Sequence, residues 1–342
     1  TIKILGMILL PMIVHSENGR NIGFAIIVFT ASAINSLFSS GYSVWHINFL
    51  PESIRADYFN VSNIIVNFIV GSTTLISAVI ADTFTGSAHR LQIITALYII
   101  GFIVSIIDVI VISLPKEGVY ERTSNKKPRL YDTIRLAFSQ KKFMLTMWIM
   151  FGYTFASNLS ASVINTYLLG RIGVSYSFVT AINASYFLFF IAFGWLAKRM
   201  IARYAWFKTF AYAVFPLFIT YVLYAFVDSS NYRWLMLIVR LTQHTLSIMI
   251  TLTYSNFPYI NLPVGDRTNY MSFYVVFVNT ASLLAMLLGT GFVGWFGDRK
   301  LNLPGRQFDS VQILMLCTGT LLALLAVVVL RLIPHLTPDK ND

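Results

Sequence analysis

Four polar residues recur at the spacing of one helical face inside an apolar stretch near the middle of the second half of the chain. They are Arg240, Gln243, His244 and Ser247. Positions i, i+3, i+4 and i+7 lie on one side of a helix. An arginine within a membrane span costs about 3 kcal/mol on insertion scales, so it should face a polar cavity or a partner. Arg240, Gln243 and His244 are therefore candidate ligands for a polar or anionic solute. The alternatives are that Arg240 extends outward to the interface and that His244 is a packed, neutral histidine.

Two further sets of amide and hydroxyl side chains lie in apolar stretches. Asn158, Ser162 and Asn165 share one face at i, i+4 and i+7. They are candidates for hydrogen bonds to a polar solute, and small polar residues that hold helices together are the equally weighted alternative. Asn67 and Asn279 form a pair in equivalent positions of a repeat, and for them helix packing and solute contact are both open.

That repeat is a polar phrase that occurs twice. Residues 50–58 read LPESIRADY and residues 262–270 read LPVGDRTNY, an offset of 212 residues. Each copy joins two long apolar runs, which indicates internal duplication of the kind found in transporters built from repeated helical units. Arg55 and Arg267, one in each copy, are candidate gate residues that would hold a helix end or an acid. Binding of lipid phosphate is the simpler alternative.

The elements that position these residues are membrane-spanning helices. The chain is 56% hydrophobic and only 11% charged, with mean hydropathy +0.69, whereas soluble domains carry about 25% charged residues. Apolar runs of about 20 residues cross a bilayer as helices, which satisfy their own backbone hydrogen bonds. The continuous runs lack the alternation of β-barrel strands. We therefore predict an all-α polytopic bundle. Its ten predicted spans are 2–14, 21–45, 61–81, 91–114, 144–168, 178–197, 208–227, 233–257, 272–296 and 309–333.

The net charge of +11 is distributed by loop. When the spans alternate in direction, basic residues concentrate on one side, which the positive-inside rule assigns to the cytoplasm together with both repeated phrases and the C-terminus. A nucleic-acid-binding protein would present its basic residues as one contiguous face, and the sequence has no such face. Cys317 is the one cysteine in the sequence, so no disulfide forms within the chain. The sequence carries no metal-binding or cofactor-binding motif, and we expect no metal and no cofactor.

One long hydrophilic stretch divides the chain. We predict a helical bundle over 1–114, a basic cytoplasmic linker with an amphipathic helix over 115–143, and a second bundle over 144–342. The repeat offset implies two parallel six-helix repeats, of which the first shows only four spans. We therefore expect two helices to precede residue 1, with an intact ten-helix protein as the alternative.

This organisation resembles the major facilitator superfamily of secondary transporters. Gly194, Arg199 and Arg203 match positions of the cytoplasmic signature of that family, with Lys198 in place of its acid and Ile201 in place of its second glycine. The phrase from Arg240 to His244 is similar to the family's Arg-x-x-Gln-Gly motif, with histidine as the last residue.

The resemblance implies a secondary active transporter and not an enzyme, working by alternating access around a midplane cavity. It adds Arg199 and Arg203 to the candidate gate residues. It also implies H⁺ or Na⁺ as candidate coupling ions, contact with membrane lipids, a monomer, and a multi-pass location in a plasma membrane such as the bacterial inner membrane. Drug or metabolite export and sugar or organic-anion uptake remain open. A polytopic membrane enzyme or receptor is the alternative class, expected to cluster acids or histidines at one membrane face.

Overall fold

The chain divides into two compact units in the computed structural model. The first comprises Thr1–Asn63 and Thr73–Lys127, and the second comprises Ile64–Ser72 and Pro128–Asp342. The structure describes residues 2–16, 18–20, 22–24, 26–32, 34–35, 38, 52–84, 89–114, 130–263, 267–303 and 306–336.

The described part of the first half is helical. Helix α1 spans Ile2–Ile13, further helical residues lie between 18 and 38, α2 spans Glu52–Thr83 and α3 spans Arg90–Ser113. Helix α1 packs against α3. Most described side chains of α3 remain exposed, and such a continuously apolar helix needs lipid or protein to cover it.

The second unit contains the described elements that follow residue 130. They are α4 (Leu130–Ser139), α5 (Lys141–Thr166), a π-helical turn (Tyr167–Ile172), α6 (Tyr176–Ala184), α7 (Tyr186–Val214), α8 (Leu217–Ala225), α9 (Tyr232–Tyr254), α10 (Phe257–Ile260), α11 (Arg267–Phe296), β1 (Leu301–Leu303), β2 (Arg306–Phe308) and α12 (Ser310–Leu336). The strands form an antiparallel hairpin in which Leu301 pairs with Phe308. This hairpin departs from the all-α prediction, because its short polar and apolar run carries too weak a pattern to distinguish a hairpin from a loop.

Five helical segments of the described residues are long and apolar enough to cross a membrane. They are Gln92–Ser113, Tyr176–Ala225, Tyr232–Ile260, Asn269–Phe296 and Ser310–Leu336. Phe68–Ile80 is a shorter apolar helical segment. The ten predicted spans and the two six-helix repeats therefore remain predictions, although the multi-pass helical character is clear.

The 50-residue segment Tyr176–Ala225 covers the predicted span 178–197 and most of the predicted span 208–227. A straight helix of that length would measure about 75 Å, well beyond a hydrocarbon core of about 30 Å. Helix α7 is interrupted at Ala205, whose φ of 60° and ψ of 174° are not helical. The buried Thr209 donates its hydroxyl proton to the Met200 carbonyl across the interruption, at 3.0 Å. The predicted polar connection is therefore a sharp break within α7.

The repeated phrase is partly helical. Helix α2 begins at Glu52, and α11 begins at Arg267, so Arg55 and Arg267 both lie in a first helical turn and not in a connecting loop. The first turn of a helix leaves N–H groups without intrahelical partners, so a polar sequence there fits a helix start as well as a loop.

The predicted amphipathic helix is present as α4. Ala137 is fully buried, and the Phe138 ring meets Phe273 of α11 edge to face at a centroid distance of 5.9 Å. Helix α4 therefore packs on the helices of the second unit through its apolar face.

Helices α5 and α11 approach closely where α11 carries glycine. A Cβ added at Gly289 would overlap the Leu159 carbonyl oxygen of α5 and would lie 3.1 Å from its carbonyl carbon. Small residues let helix backbones approach in this way. Nearby, Ser160 of α5 accepts a hydrogen bond from Thr318 of α12 at 3.1 Å. The three helices thus share a tight central contact.

Candidate functional site

Arg240 lies on α9 with its side chain partly buried among neighbouring helices. Its Nη1 donates to Gln243 Oε1 at 3.3 Å, and its guanidinium carbon lies 5.1 Å from the centroid of the Tyr224 ring on α8. The Nε atom is buried and has no hydrogen-bond partner within the described part of the chain. No ion pair joins Arg240 to a described residue. The cation is thus held by an amide and a ring, and its buried Nε has no described partner.

The arginine is oriented by a chain of hydrogen bonds between α9 and α8. Gln243 is 8% exposed, and its Nε2 donates to Thr220 Oγ1 at 3.2 Å. The Thr220 hydroxyl in turn donates to the Leu217 carbonyl at 2.8 Å. Because Gln243 uses its oxygen for Arg240 and its nitrogen for Thr220, it fixes the guanidinium relative to α8.

His244 points toward α6 and α7. Its Nε2 lies 2.8 Å from the Ile182 carbonyl oxygen. Because a carbonyl oxygen only accepts, Nε2 carries the proton and donates. The imidazole also contacts the rings of Tyr186 and Phe189, at centroid distances of 5.4 Å and 6.0 Å. The structure therefore gives His244 a packing position beside the arginine network.

The candidate residues on α5 differ in their surroundings. Asn158 Nδ2 donates to the Thr154 carbonyl of its own helix at 2.8 Å, which leaves its side-chain oxygen available. Ser162 and Asn165 are exposed. The helix places the three on one face, and of these Asn158 makes a hydrogen bond within the helix.

The remaining candidates are spread over other elements. Asn279 is exposed on α11. The side chains of Asn67, Arg55 and Arg267 fall outside the described residues, so their predicted roles have no side-chain geometry.

The two arginines of α7 contact aromatic rings next to them. The guanidinium carbon of Arg199 lies 4.9 Å from the Trp195 ring centroid, and that of Arg203 lies 5.2 Å from the Tyr204 ring centroid. Neither arginine pairs with an acid of the described chain. The structure therefore does not bring Arg199 and Arg203 together with the Arg240 network.

Sequence reasoning missed Thr220 and Tyr224, the two residues of α8 that hold the Arg240 network. They stand four residues apart and share one helical face, so a search for polar side chains at helical spacing in residues 208–227 would have found them. Tyr224 is 1% exposed, and its hydroxyl has no partner of hydrogen-bond geometry in the described part. It nevertheless lies near enough to interact electrostatically with Arg240.

A network of ion pairs ties the chain connections at one end of the second unit. Arg171 Nη1 lies 2.9 Å from Asp309 Oδ2, and Arg306 Nη2 lies 3.0 Å from Asp228 Oδ2. A hydrogen bond from the Ser230 hydroxyl, with further help from backbone N–H groups and Arg306, lowers the pKa of the Asp228 carboxyl. These contacts anchor the hairpin to the end of α8.

Comparison with known proteins supports the fold. No protein-family model matches the chain, and no curated protein matches it. Among solved structures, the crystal structure of a variant of the nucleoside transporter NupG is similar with a TM-score of 0.58. The similarity covers 96% of this chain and 80% of that one, at 12% sequence identity. At this identity the similarity shows the fold alone, and the chain shares the helical fold of that structure.

Proposed function

We propose that the chain is a secondary active transporter of the major facilitator type that moves a small polar solute across a membrane by alternating access. The fold supports this proposal through the similarity to a transporter over almost the whole chain. The described apolar helices supply the membrane spans. The two six-helix repeats, H⁺ or Na⁺ coupling and a plasma-membrane location with a cytoplasmic C-terminus belong to the same proposal.

The observation that carries the proposed substrate site is that the Arg240 guanidinium has no acidic partner among the described residues. An arginine within a span costs free energy unless polar groups surround it, and here the described chain supplies an amide and a ring but no acid. The guanidinium retains N–H donors for a solute, which would reach it at the Nη groups because Nε is buried. A solute with a carboxylate, phosphate or carbonyl oxygen meets that need, because a guanidinium presents donors in a planar fork.

The other candidate residues take supporting roles in this proposal. Gln243 orients the arginine. His244 hydrogen-bonds the Ile182 carbonyl and so fixes the position of α9 against α6. Hydrogen bonds to the rest of the solute come from the polar side chains of the other spans, namely Asn158, Ser162, Asn165, Asn67 and Asn279. The gate consists of Arg55, Arg267, Arg199 and Arg203.

Transport by the full chain reconstituted in liposomes tests the proposal. Labelled nucleosides, sugars and organic anions would be offered under imposed H⁺ and Na⁺ gradients. We expect gradient-dependent accumulation of one class and its collapse when the gradient is dissipated. Nucleosides belong in the panel because the similar structure is that of a nucleoside transporter. No accumulation under either gradient would overturn the transporter assignment and favour a polytopic receptor or enzyme.

Arg240→Ala should reduce accumulation to the level of empty liposomes, because the donor that binds the solute is removed. Arg240→Lys should retain partial activity, since an ammonium keeps the charge but not the fork. Arg233→Ala is the matched control, because Arg233 is an exposed arginine on the same helix. Equal uptake by Arg240→Ala and Arg233→Ala, at equal membrane expression, would remove Arg240 from the site.

A further inference from the structure

A cluster of basic and aromatic side chains surrounds the interruption in α7. We call it the basic–aromatic cluster, and its members are Trp195, Lys198, Arg199, Arg203, Tyr204, Lys208 and Tyr212. Arg199 lies over Trp195 and Arg203 over Tyr204, as described above. The Lys208 ammonium lies 5.8 Å from the ring centroids of both Tyr204 and Tyr212. Arg199, Arg203 and Lys208 therefore each lie against an aromatic ring.

The positive charge of the cluster has no acidic counterpart nearby in the sequence. No Asp or Glu occurs between Asp132 and Asp228. None of the four cations forms an ion pair with a described residue. Four cations held within eleven residues repel one another, so an external anion is favoured there.

The rings do more than cover the cations. A guanidinium resting on an aromatic face has fewer side-chain conformations to lose when it binds an anion. Trp195 and Tyr212 remain 55% and 40% exposed, and tryptophan and tyrosine are enriched at the headgroup level of a membrane. The break at Ala205 turns the chain within the cluster. The cluster is thus placed and restrained at the end of a membrane span.

An apolar stripe on α7 leads directly to the cluster. Leu188, Ile191 and Trp195 are all more than half exposed. Their spacing of i, i+3 and i+7 places them on one helical face, and Arg199 follows four residues later on that face. An acyl chain lying along this stripe would carry its phosphate to Arg199. A free phosphate ion would gain nothing from the stripe.

We propose that the basic–aromatic cluster binds the headgroup phosphate of an anionic phospholipid, with an acyl chain along Leu188, Ile191 and Trp195. Arginines bind phosphate oxygens through their planar fork, and lysines contribute point charges. Clusters of four or more basic residues next to a membrane helix favour anionic lipid surfaces. Arg199 and Arg203 also belong to the proposed gate, so lipid binding is measured without solute and does not depend on transport.

Binding of phosphatidylglycerol to the purified full chain in detergent, followed by native mass spectrometry, tests the proposal. We expect bound phosphatidylglycerol in preference to phosphatidylcholine. The variant Arg199→Gln/Arg203→Gln/Lys208→Gln should lose roughly fivefold in affinity for each charge removed. Arg233→Gln/Arg299→Gln/Lys300→Gln is the control, since it removes the same charge elsewhere, and it should bind the lipid as the unmodified chain does.

A second pair of variants distinguishes a specific lipid site from nonspecific electrostatic attraction. Trp195→Ala removes the ring beneath Arg199 and the last residue of the stripe without changing charge, and should weaken binding severalfold. Trp195→Phe should largely restore it. Equal binding by the charge variant and its control overturns the proposal, as does displacement of the lipid by equimolar inorganic phosphate. Thermal melting of each variant identifies any loss of folding, and the remaining folded variant then decides the outcome.

Discussion

The guanidinium of Arg240 lies over the ring of Tyr224 at 5.1 Å, and Arg240 Nε and the Tyr224 hydroxyl are both buried without a hydrogen-bond partner in the described part. A desolvated cation–π pair contributes about 2 kcal/mol. The ring therefore carries much of what holds the arginine, and the hydroxyl adds an electrostatic interaction with Arg240 that falls short of hydrogen-bond geometry.

Replacing Tyr224 separates the ring from its hydroxyl. Tyr224→Phe should change stability by less than about 1 kcal/mol, because the desolvation cost of the buried hydroxyl offsets its electrostatic interaction with Arg240. Tyr224→Ala should lower stability by about 3–5 kcal/mol through the cavity it creates, and should also release Arg240. Thermal unfolding in detergent measures both. Equal destabilisation by the two variants would show that the hydroxyl is bonded in the folded protein.

The strain at Ala205 should respond to glycine. A φ of 60° with ψ of 174° lies in a region that essentially only glycine adopts without cost. Ala205→Gly should therefore stabilise the protein by about 1 kcal/mol. The matched variant Ala202→Gly, at an exposed helical position on the same helix, should lower stability by roughly 0.5–1 kcal/mol. Thermal unfolding of the two variants in parallel tests this, and a loss of stability in both would contradict it.

The hydrogen bonds that Asp228 accepts from Ser230 and Asn231, together with its ion pair to Arg306, should make stability depend on acid pH. The pKa of the Asp228 carboxyl is lower in the folded chain than its ordinary value of about 3.9. The carboxylate therefore stabilises the fold above that value, and the contribution is lost as pH falls through the lowered pKa. Asp228→Asn should melt earlier than the unmodified chain at pH 7, and the two should converge as pH falls below the lowered pKa of Asp228.

The control for this dependence is Asp298→Asn. The Asp298 carboxylate is fully exposed and lies 3.9 Å from Arg171, so solvent screening should leave it without measurable effect. If Asp228→Asn and Asp298→Asn melt at the same temperature at neutral pH, the hydrogen bonds and ion pair of Asp228 do not stabilise the fold.

Two glycines of α11 offer the sharpest contrast in the chain. Gly289→Ala would drive a methyl group into the Leu159 carbonyl, so we expect a loss of at least 1–3 kcal/mol, or failure to fold. At Gly291 an added Cβ meets nothing within 4 Å, and Gly291→Ala should gain about 1 kcal/mol of helix propensity. Yield and melting temperature measure the difference, and similar behaviour of both variants would show that α11 does not touch α5 at this point.

The sequence predicted the helical membrane character because long apolar runs have few other solutions. It also predicted the helix from Leu130, whose apolar spacing is preserved in α4. It could not predict the break at Ala205, because alanine carries no signal for positive φ and favours helix. The hairpin at Leu301–Phe308 was missed because three-residue strands lack a detectable period.

The candidate site was predicted along one helix and not across helices. The 3.6-residue period places Arg240, Gln243 and His244 together, but two of them face different neighbours in the structure. Gln243 reaches α8 and His244 reaches α6. Such partners depend on tertiary packing, which a spacing rule along one helix does not contain.

The contact of Gly289 with Leu159 has a mechanical consequence. Packed helices usually shift by small steps in which side chains exchange neighbouring grooves. Where two backbones touch, no side chain is left between them to yield, so α5 and α11 cannot glide along each other. In any conformational cycle α5 and α11 should therefore move together as one rigid unit. Helices that slide past one another must do so at other helix–helix interfaces of the protein.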